Sequence, residues 1–356
     1  MLLLEDAPRV LAPPRRELAF DAAVTGVVFL ADGTLAAGLG DGTVRLVTDD
    51  PAPRIAQPHR DGSAVLALAI DFDGAGVLTG GDDGRLARTA GDGTVTPLAE
   101  FPGRQVEVVA VSIAGGRSAV AAGREVSLLD RSGKIVAATA DHPTTVTGLA
   151  LNPKGKRLAV SHYGGVTLWW TGKLGEAPAQ LRWRGSHIGV SWSPDGSIVM
   201  TTMQERELHG WRLSDGQHMR MAGYAAKVRS MDWLTRPMTL VTSGAECALA
   251  WKFSGGGPMG TAPIELGRGL GRLVTCVAVH PKRPLVAAGF DDGQVALCAL
   301  KPADAVVRVR GIDGARITSL AWSRDGTRLA AGTAAGVVPI YDLVKTAAAG
   351  PKAEGV

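Results

Sequence analysis

The sequence predicts an all-β fold made of eight copies of one structural unit, and three observations support this prediction. The first is a recurring order of apolar strand, polar turn, strand of small residues, Gly/Asp turn and alternating strand. The second is a spacing of about 41 residues between copies, which is typical of four-stranded propeller blades. The third is the lack of any useful segment with helical periodicity, which disfavours α/β folds with crossover helices.

The eight copies are evenly placed along the chain. A short extended segment follows seven of them, as "RIAQPH" follows the first copy, and is predicted to be a fourth strand. The eighth copy lacks this segment, and we expect "RELAFD" at residues 16–21 to complete that blade and close the ring, which protects the terminal edges. The first strands of the copies begin near Val24, Val65, Glu107, Val146, Ile188, Val228, Val274 and Ile317.

This pattern predicts an eight-bladed β-propeller of four-stranded antiparallel blades around a central channel. The alternative is seven blades with a separate module. The predicted domain organisation is an N-terminal extension at residues 1–15, the propeller at 16–345, and a disordered tail at 346–356 with a composition rich in Ala, Gly, Pro and Lys.

Composition indicates a folded, loop-rich protein. Of the 356 residues, 46% are hydrophobic and 20% charged, with 47 Gly and 20 Pro. Three cysteines, Cys247, Cys276 and Cys298, are too few for a disulfide framework, and no pair has zinc-finger spacing. The first residues do not resemble a signal peptide, and no apolar run is long enough to span a bilayer. We therefore expect a cytoplasmic protein, monomeric in isolation, that does not bind a membrane.

The charge pattern disfavours nucleic acid as a partner. The net charge of +4 comes from Lys and Arg residues scattered along the chain, without a dense basic tract. Catalysis is also disfavoured because no Ser/His/Asp or Cys/His set is identifiable and the recurring Asp residues suit turns. Glycine-rich pieces such as 267–271 precede no helix, which a phosphate-binding loop requires. The expectation is a non-enzyme without cofactor or metal.

The repeats resemble those of the WD-repeat β-propeller family. The first turns "SPDG" at 193–196 and "SRDG" at 323–326, and the second turns "GDGTVRL" at 40–46 and "DDGQVAL" at 291–297, carry this resemblance. It extends over residues 16–345, although the Trp-Asp dipeptide of the family is degenerate here. The family's tetrad of loop His, second-strand Ser/Thr, turn Asp and third-strand Trp is complete in no copy, so packing and strand pairing are expected to hold the blades.

The resemblance implies a scaffold or adaptor that binds a protein or peptide on the face carrying the second turns and the channel mouth. Arg residues and apolar or aromatic anchors such as Tyr163 and Phe290 are expected to make the contacts. The candidate contact residues on this rim are Leu39, Asp41, Asp82, Arg124, His142, His162, Tyr163, His187, Glu205, Arg206, Glu246, Phe290 and Asp291.

Two alternatives remain open at this point. Propellers also host enzymes and small-ligand or metal sites in the channel, and His142, His162 and His187 map to one face; structural loop histidines are the favoured interpretation. A further candidate surface is the predicted outer strand around Trp183. There Arg182 and Arg184 should project outward while Trp183 turns inward, a pattern that suits either binding or edge protection.

Overall fold

The computed structural model describes residues 13–139, 142–174, 176–254, 257–270, 272–301 and 306–343. This part of the chain contains strands and turns and no helix. It therefore contains no helix long and apolar enough to cross a membrane. The predicted extension and tail lie almost wholly outside the described residues, so the predicted domain boundaries stay predictions.

The strands are short and follow one another closely, as the repeat predicts. The first half of the chain contributes β1 Arg16–Ala19, β2 Val24–Phe29, β3 Leu35–Leu39, β4 Val44–Val47, β5 Arg54–Ala56, β6 Val65–Ile70, β7 Gly76–Gly81, β8 Arg85–Ala90, β9 Val95–Glu100, β10 Val108–Ser112, β11 Arg117–Ala122, β12 Glu125–Leu129, β13 Ile135–Thr139, β14 Gly148–Leu151 and β15 Arg157–Trp170. The second half contributes β16 Ala179–Trp192, β17 Ile198–Met203, β18 Leu208–Arg212, β19 His218–Met221, β20 Met231–Leu234, β21 Thr239–Thr242, β22 Ala248–Lys252, β23 Ile264–Leu266, β24 Val274–Val279, β25 Leu285–Phe290, β26 Val295–Ala299, β27 Val306–Arg310, β28 Ile317–Trp322, β29 Arg328–Thr333 and β30 Val337–Asp342.

The prediction of eight four-stranded blades is wrong, because the described strands form seven sheets. Six sheets have four antiparallel strands, and β14 to β19 form one sheet of six strands. Only Gly185, Ser186 and His187 join the predicted fourth and fifth copies, and they leave no room for an unpaired loop. Strand β16 pairs with β15 through its residues up to Ser186 and with β17 from His187 onward, so it continues without a break. Both β15 and β16 are 14 residues long.

The sheets close into a ring through the N-terminal strand. β1 pairs antiparallel with β30, with Arg16 opposite Ile340 and Ala19 opposite Val337, and completes the sheet of β28, β29 and β30. β28 in turn packs against β2, the first strand of the next sheet. The expected closure is thus present. It gives both ends of the strand array a hydrogen-bonded neighbour.

Neighbouring sheets are also joined by hydrogen bonds between their inner strands. The hydroxyl of Ser230 accepts a bond of 3.0 Å from the amide of Val277, and the carboxylate of Asp232 accepts one of 2.8 Å from the amide of Val279. Tryptophan indoles on the inner strands reach back to the preceding sheet. These indole bonds are Trp233 to the Ser191 hydroxyl at 3.1 Å and Trp322 to the Ala278 carbonyl at 3.0 Å. Within the six-stranded sheet, the indole of Trp192 donates to the Ala150 carbonyl at 2.9 Å.

The Asp-Gly turns form as their sequence predicts. Asp195 accepts the amide of Ser197 at 3.0 Å, and Asp325 accepts the amide of Thr327 at 3.0 Å. The following glycine in each turn has a positive φ that side chains disfavour. These carboxylates therefore satisfy local backbone donors.

Candidate partner-binding face

Ten of the thirteen residues of the predicted rim lie in or next to the turns and connections at one end of the sheets, whereas His162, Tyr163 and His187 lie within β15 and β16. The amide of Tyr163 donates to the Thr144 hydroxyl, in the connection between β13 and β14, at 3.0 Å. In an antiparallel four-stranded sheet, the turn between the second and third strands lies at the same end as the connection to the next sheet. We call this end the loop face; it includes the turns β3–β4, β7–β8, β11–β12, β17–β18, β21–β22, β25–β26 and β29–β30. Ten of the thirteen predicted residues thus share one end of the sheets.

Five of the thirteen residues are interior. The side chains of Leu39 and Phe290 end the second strands of their sheets and pack into apolar clusters, with no exposure at all. The histidines His142, His162 and His187 are at most 3% exposed. Because a rigid partner touches only surface atoms, these five do not belong to the proposed surface, and their expected role as partner contacts is corrected to packing and hydrogen bonding.

Four carboxylates of the predicted rim hold the loops of this face. Asp82 accepts the amide of Ala64 at 2.9 Å, and Asp291 accepts the amide of Leu273 at 3.2 Å. Glu205 accepts the amide of Ser186 at 3.0 Å, and Asp41 accepts the amide of its neighbour Thr43 at 3.0 Å. The four carboxylates therefore accept hydrogen bonds from backbone amides of the propeller itself.

The remaining four residues of the rim are exposed. They are Arg124, Tyr163, Arg206 and Glu246. Tyr163 is the most exposed tyrosine, with 56% of its surface accessible, and it follows His162 in β15. Arg124 also serves the scaffold, since its Nε donates to the carbonyl of His142 at 2.6 Å. Tyr163 and Arg206 are therefore the strongest contact candidates among the predicted residues.

Arg206 lines a basic cavity that the sequence did not reveal. Its volume is about 360 Å³, and its lining includes Arg206, Lys227, Arg229 and Arg316 above the aliphatic Ala225 and Leu273. We call this cavity the arginine cleft. Lys227 and Arg229 precede β20, and Arg316 precedes β28, so the cleft lies beside inner strands at the channel mouth. Within the described residues, no carboxylate oxygen lies within 4.0 Å of any of the four cationic groups.

A second cavity on the loop face has mixed charge. It measures about 610 Å³ and is lined by Asp82, Asp83, Arg104 and Glu107 among others. Its arginine is engaged, because Arg104 pairs with Glu125 at 2.8 Å. The second cavity therefore combines acidic groups with an arginine that already has an ion-pair partner, unlike the arginine cleft.

Comparison with known proteins identifies the type of propeller. Residues 274–350 match the family model described as the anaphase-promoting complex subunit 4 WD40 domain. The C-terminal WD40 domain of Sif2 superimposes with a TM-score of 0.73 at 14% identity, covering 94% of this chain and 99% of that one. The chain therefore has the fold of a WD40 β-propeller.

A designed protein has a similar fold. The computationally designed Ika8 protein superimposes on this chain with a TM-score of 0.75 at 18% identity, covering 93% of this chain and 100% of that one. No curated protein matches the sequence. At these identities the structural likeness describes the fold, and any partner has to be argued from the chain's own residues.

The buried histidines His142 and His187 form hydrogen bonds within the scaffold. The Nδ1 of His142 donates to the Arg124 carbonyl at 2.9 Å, and its Nε2 accepts from the indole of Trp169 at 3.1 Å. His187 contacts the Thr201 hydroxyl at 2.8 Å. Burial lowers the pKa of both histidines, which favours the neutral ring. In the described part of the chain, no group of three His, Cys, Asp or Glu side chains is placed to hold a metal ion.

One set of hydrogen-bonded side chains resembles the tetrad but was not predicted, because a tyrosine stands where the tetrad has a histidine. The indole of Trp251 donates to the Tyr224 hydroxyl at 2.8 Å, and that hydroxyl bonds the Thr242 hydroxyl at 2.8 Å. Burial raises the pKa of Tyr224 to about 12, so it remains a neutral phenol. A signal was available in the spacing: Tyr224 precedes Val228 by four residues, as His142 precedes Val146.

Removing the Tyr224 hydroxyl should destabilise the propeller. We expect Tyr224→Phe to lower the free energy of unfolding by about 1–2 kcal/mol, because the buried indole of Trp251 loses its acceptor. Urea unfolding followed by circular dichroism measures this change. Tyr163→Phe is the matched control, since Tyr163 is exposed and should tolerate the same change within about 0.5 kcal/mol. Equal stability of the two variants would contradict a structural role for this hydrogen-bond chain.

The segment around Trp183, predicted to be an outer strand, belongs to β16, which lies between β15 and β17. Exposed and half-buried side chains alternate along it as expected. Arg182 and Arg184 are exposed, while Trp183 is half-buried. Trp183 stacks on His209 with ring centroids 3.9 Å apart, and His209 Nε2 lies 2.9 Å from Nδ1 of His218. The spacing of His209 and His218 along the chain predicts no shared role for them. Strand pairing between β18 and β19 brings them together.

Proposed function

We propose that this chain is a non-catalytic scaffold that binds a protein or peptide segment on the loop face, across the arginine cleft. WD-repeat propellers are commonly protein-interaction scaffolds. The observation that carries the proposal is the cleft itself: its four cationic side chains line an open cavity at the channel mouth and have no ion-pair partner among the described residues. Tyr163 adds an exposed aromatic group to the same face. Arg and Tyr are enriched among residues that dominate binding energy.

The rigidity of the scaffold favours this function. The loops of the face are held by carboxylate-to-amide bonds from Asp82, Asp291 and Glu205, and the ring is closed by β1. A preorganised surface loses little conformational entropy when a partner binds. The exposed side chains can therefore contribute their contacts without a cost for ordering the backbone beneath them.

The test is affinity capture with the purified chain, combined with quantitative mass spectrometry and cross-linking. We expect the double variant Tyr163→Ala, Arg206→Glu to recover the specific partners about tenfold less than the unmodified chain. The matched control is Arg324→Glu, an exposed arginine on the β28–β29 turn at the opposite end of the propeller. Unchanged recovery by the double variant, or cross-links confined to the opposite end, would overturn the proposal.

A further inference from the structure

Arg206 has a backbone conformation that belongs to glycine. Its φ is +59°, and it is the one non-glycine residue with positive φ in the described part of the chain. Its amide bonds the carbonyl of Met203, three residues earlier, at the end of a second strand. In four other sheets the residue with this same bond is a glycine, namely Gly42, Gly84, Gly293 and Gly336, with φ between 78° and 92°.

This substitution carries a cost that glycine avoids. In the left-handed region the Cβ of an L-residue crowds its own backbone, whereas glycine adopts it freely. The side chain of Arg206 contributes little to the stability of the fold, because it donates one solvent-exposed hydrogen bond of 3.3 Å to the Ala225 carbonyl. A strained residue that the fold does not explain indicates function.

The position of Arg206 indicates which function. The turn extends its side chain into the arginine cleft, beside Arg229, Arg316 and Lys227. These like charges repel one another, and no carboxylate of the described residues neutralises them. A bound anion would relieve this repulsion and complete charge-assisted hydrogen bonds to the guanidinium groups.

We propose that the arginine cleft recognises an anionic peptide segment, with Arg206, Arg229 and Arg316 binding its carboxylate or phosphate groups. This inference rests on the proposed scaffold function and specifies the chemistry of the partner. The planar guanidinium forks suit bidentate contact with such groups, while Lys227 supplies a point charge. The aliphatic side chains of Ala225 and Leu273 offer a surface for the extended chain between its acidic residues.

The binding test uses short fluorescent peptides and fluorescence polarisation at low salt. One peptide is rich in glutamate, a second has phosphoserine in place of glutamate, and a third has glutamine. A single-stranded oligonucleotide of matched charge is the fourth probe. We expect one or both acidic peptides to bind, with affinity that falls as salt rises, and the glutamine peptide not to bind. Preference between the acidic peptides separates carboxylate from phosphate recognition. Binding of the oligonucleotide without the peptides would overturn the proposal.

Variants locate the binding site. Arg229→Gln and Arg316→Gln should each weaken binding of the acidic peptide about tenfold, because each removes a charged hydrogen-bond donor. Arg324→Gln, which removes one charge at the opposite end, should change it little. Equal effects of all three would show that only net charge matters and would reject the cleft.

Arg206 gives a test with two readouts of opposite sign. Arg206→Gly should raise the midpoint of thermal unfolding by about 1–2 °C, since it relieves the left-handed strain, and should weaken peptide binding about tenfold. Arg206→Ala keeps the strained Cβ, so it should weaken binding without this gain in stability. Retained binding in Arg206→Gly would overturn the inference. If acidic peptides fail to bind while the rim variant still loses its captured partners, the scaffold function stands and anion recognition is wrong.

Discussion

Replacing Phe290 by alanine should lower the free energy of unfolding by about 3–5 kcal/mol, the largest single-residue effect expected here. Phe290 is fully buried and belongs to an apolar cluster between two sheets with Leu266 and Val274. Removing the ring forfeits its burial and leaves a cavity that close-packed strands cannot collapse to fill.

The measurement is urea unfolding of the full chain at neutral pH, with comparison of midpoints at unchanged slope. Tyr163→Ala is the matched control, because it also deletes an aromatic ring but from a side chain that is 56% exposed. Its effect should stay within about 0.5 kcal/mol. A loss below about 1 kcal/mol for Phe290→Ala would show that the ring is not part of the core.

The stability of the propeller should fall as the pH drops from about 6.5 toward 4, with His209 as a principal cause. Burial, followed by the neighbouring His218 and His187, lowers the pKa of His209 to about 3 from its ordinary value of 6.5. Between these two pH values His209 is protonated in the unfolded chain and neutral in the folded chain. Stability is therefore complete above pH 6.5 and declines by about 1.4 kcal/mol per pH unit for this one residue as the pH falls.

Urea midpoints at several pH values between 7.5 and 4.5 test this prediction. The part of this window above about pH 5.5 lies clear of the titration of ordinary carboxylates, whose pKa values are about 3.9 for Asp and 4.3 for Glu, and it is the part that isolates histidine. His209→Phe keeps a ring to stack on Trp183 and removes the proton site, so its stability should decline less steeply with acid. Phe290→Ala is the control, because it lowers stability without removing a titratable group and should keep the original slope. An unaltered slope in His209→Phe would assign the acid sensitivity to other groups, such as His142, His187 and His280, whose pKa values burial also lowers.

The local elements were predictable because their causes are local. Strict alternation of apolar residues predicted strands such as β2 and β28, and Asp-Gly pairs predicted turns such as the one at Asp195. The role of "RELAFD" in closing the ring followed from a missing fourth strand in the eighth copy. β1 does pair with β30, which lies at the other end of the strand array.

The number of sheets was not predictable from the period. Copies four and five have first turns like those of the other copies, "NPKG" at 152–155 and "SPDG" at 193–196, and the repeat counts them as separate blades. Whether the short segment from Gly185 to His187 forms a loop or continues a strand depends on its pairing with β15 and β17. That pairing is decided when the sheets assemble, and it joined the two copies into one six-stranded sheet.

By itself, the sequence determined the all-β repeat, its turns and the closing strand, because apolar patterning and turn chemistry act over a few residues. Only the tertiary structure decided that Leu39 and Phe290 point inward while Tyr163 points outward. It also brought Arg206, Arg229 and Arg316 to one cleft, although the turns and loops that carry them lie far apart along the chain. Burial and charge clustering depend on which segments contact one another in the folded chain, and a repeat period does not specify those contacts.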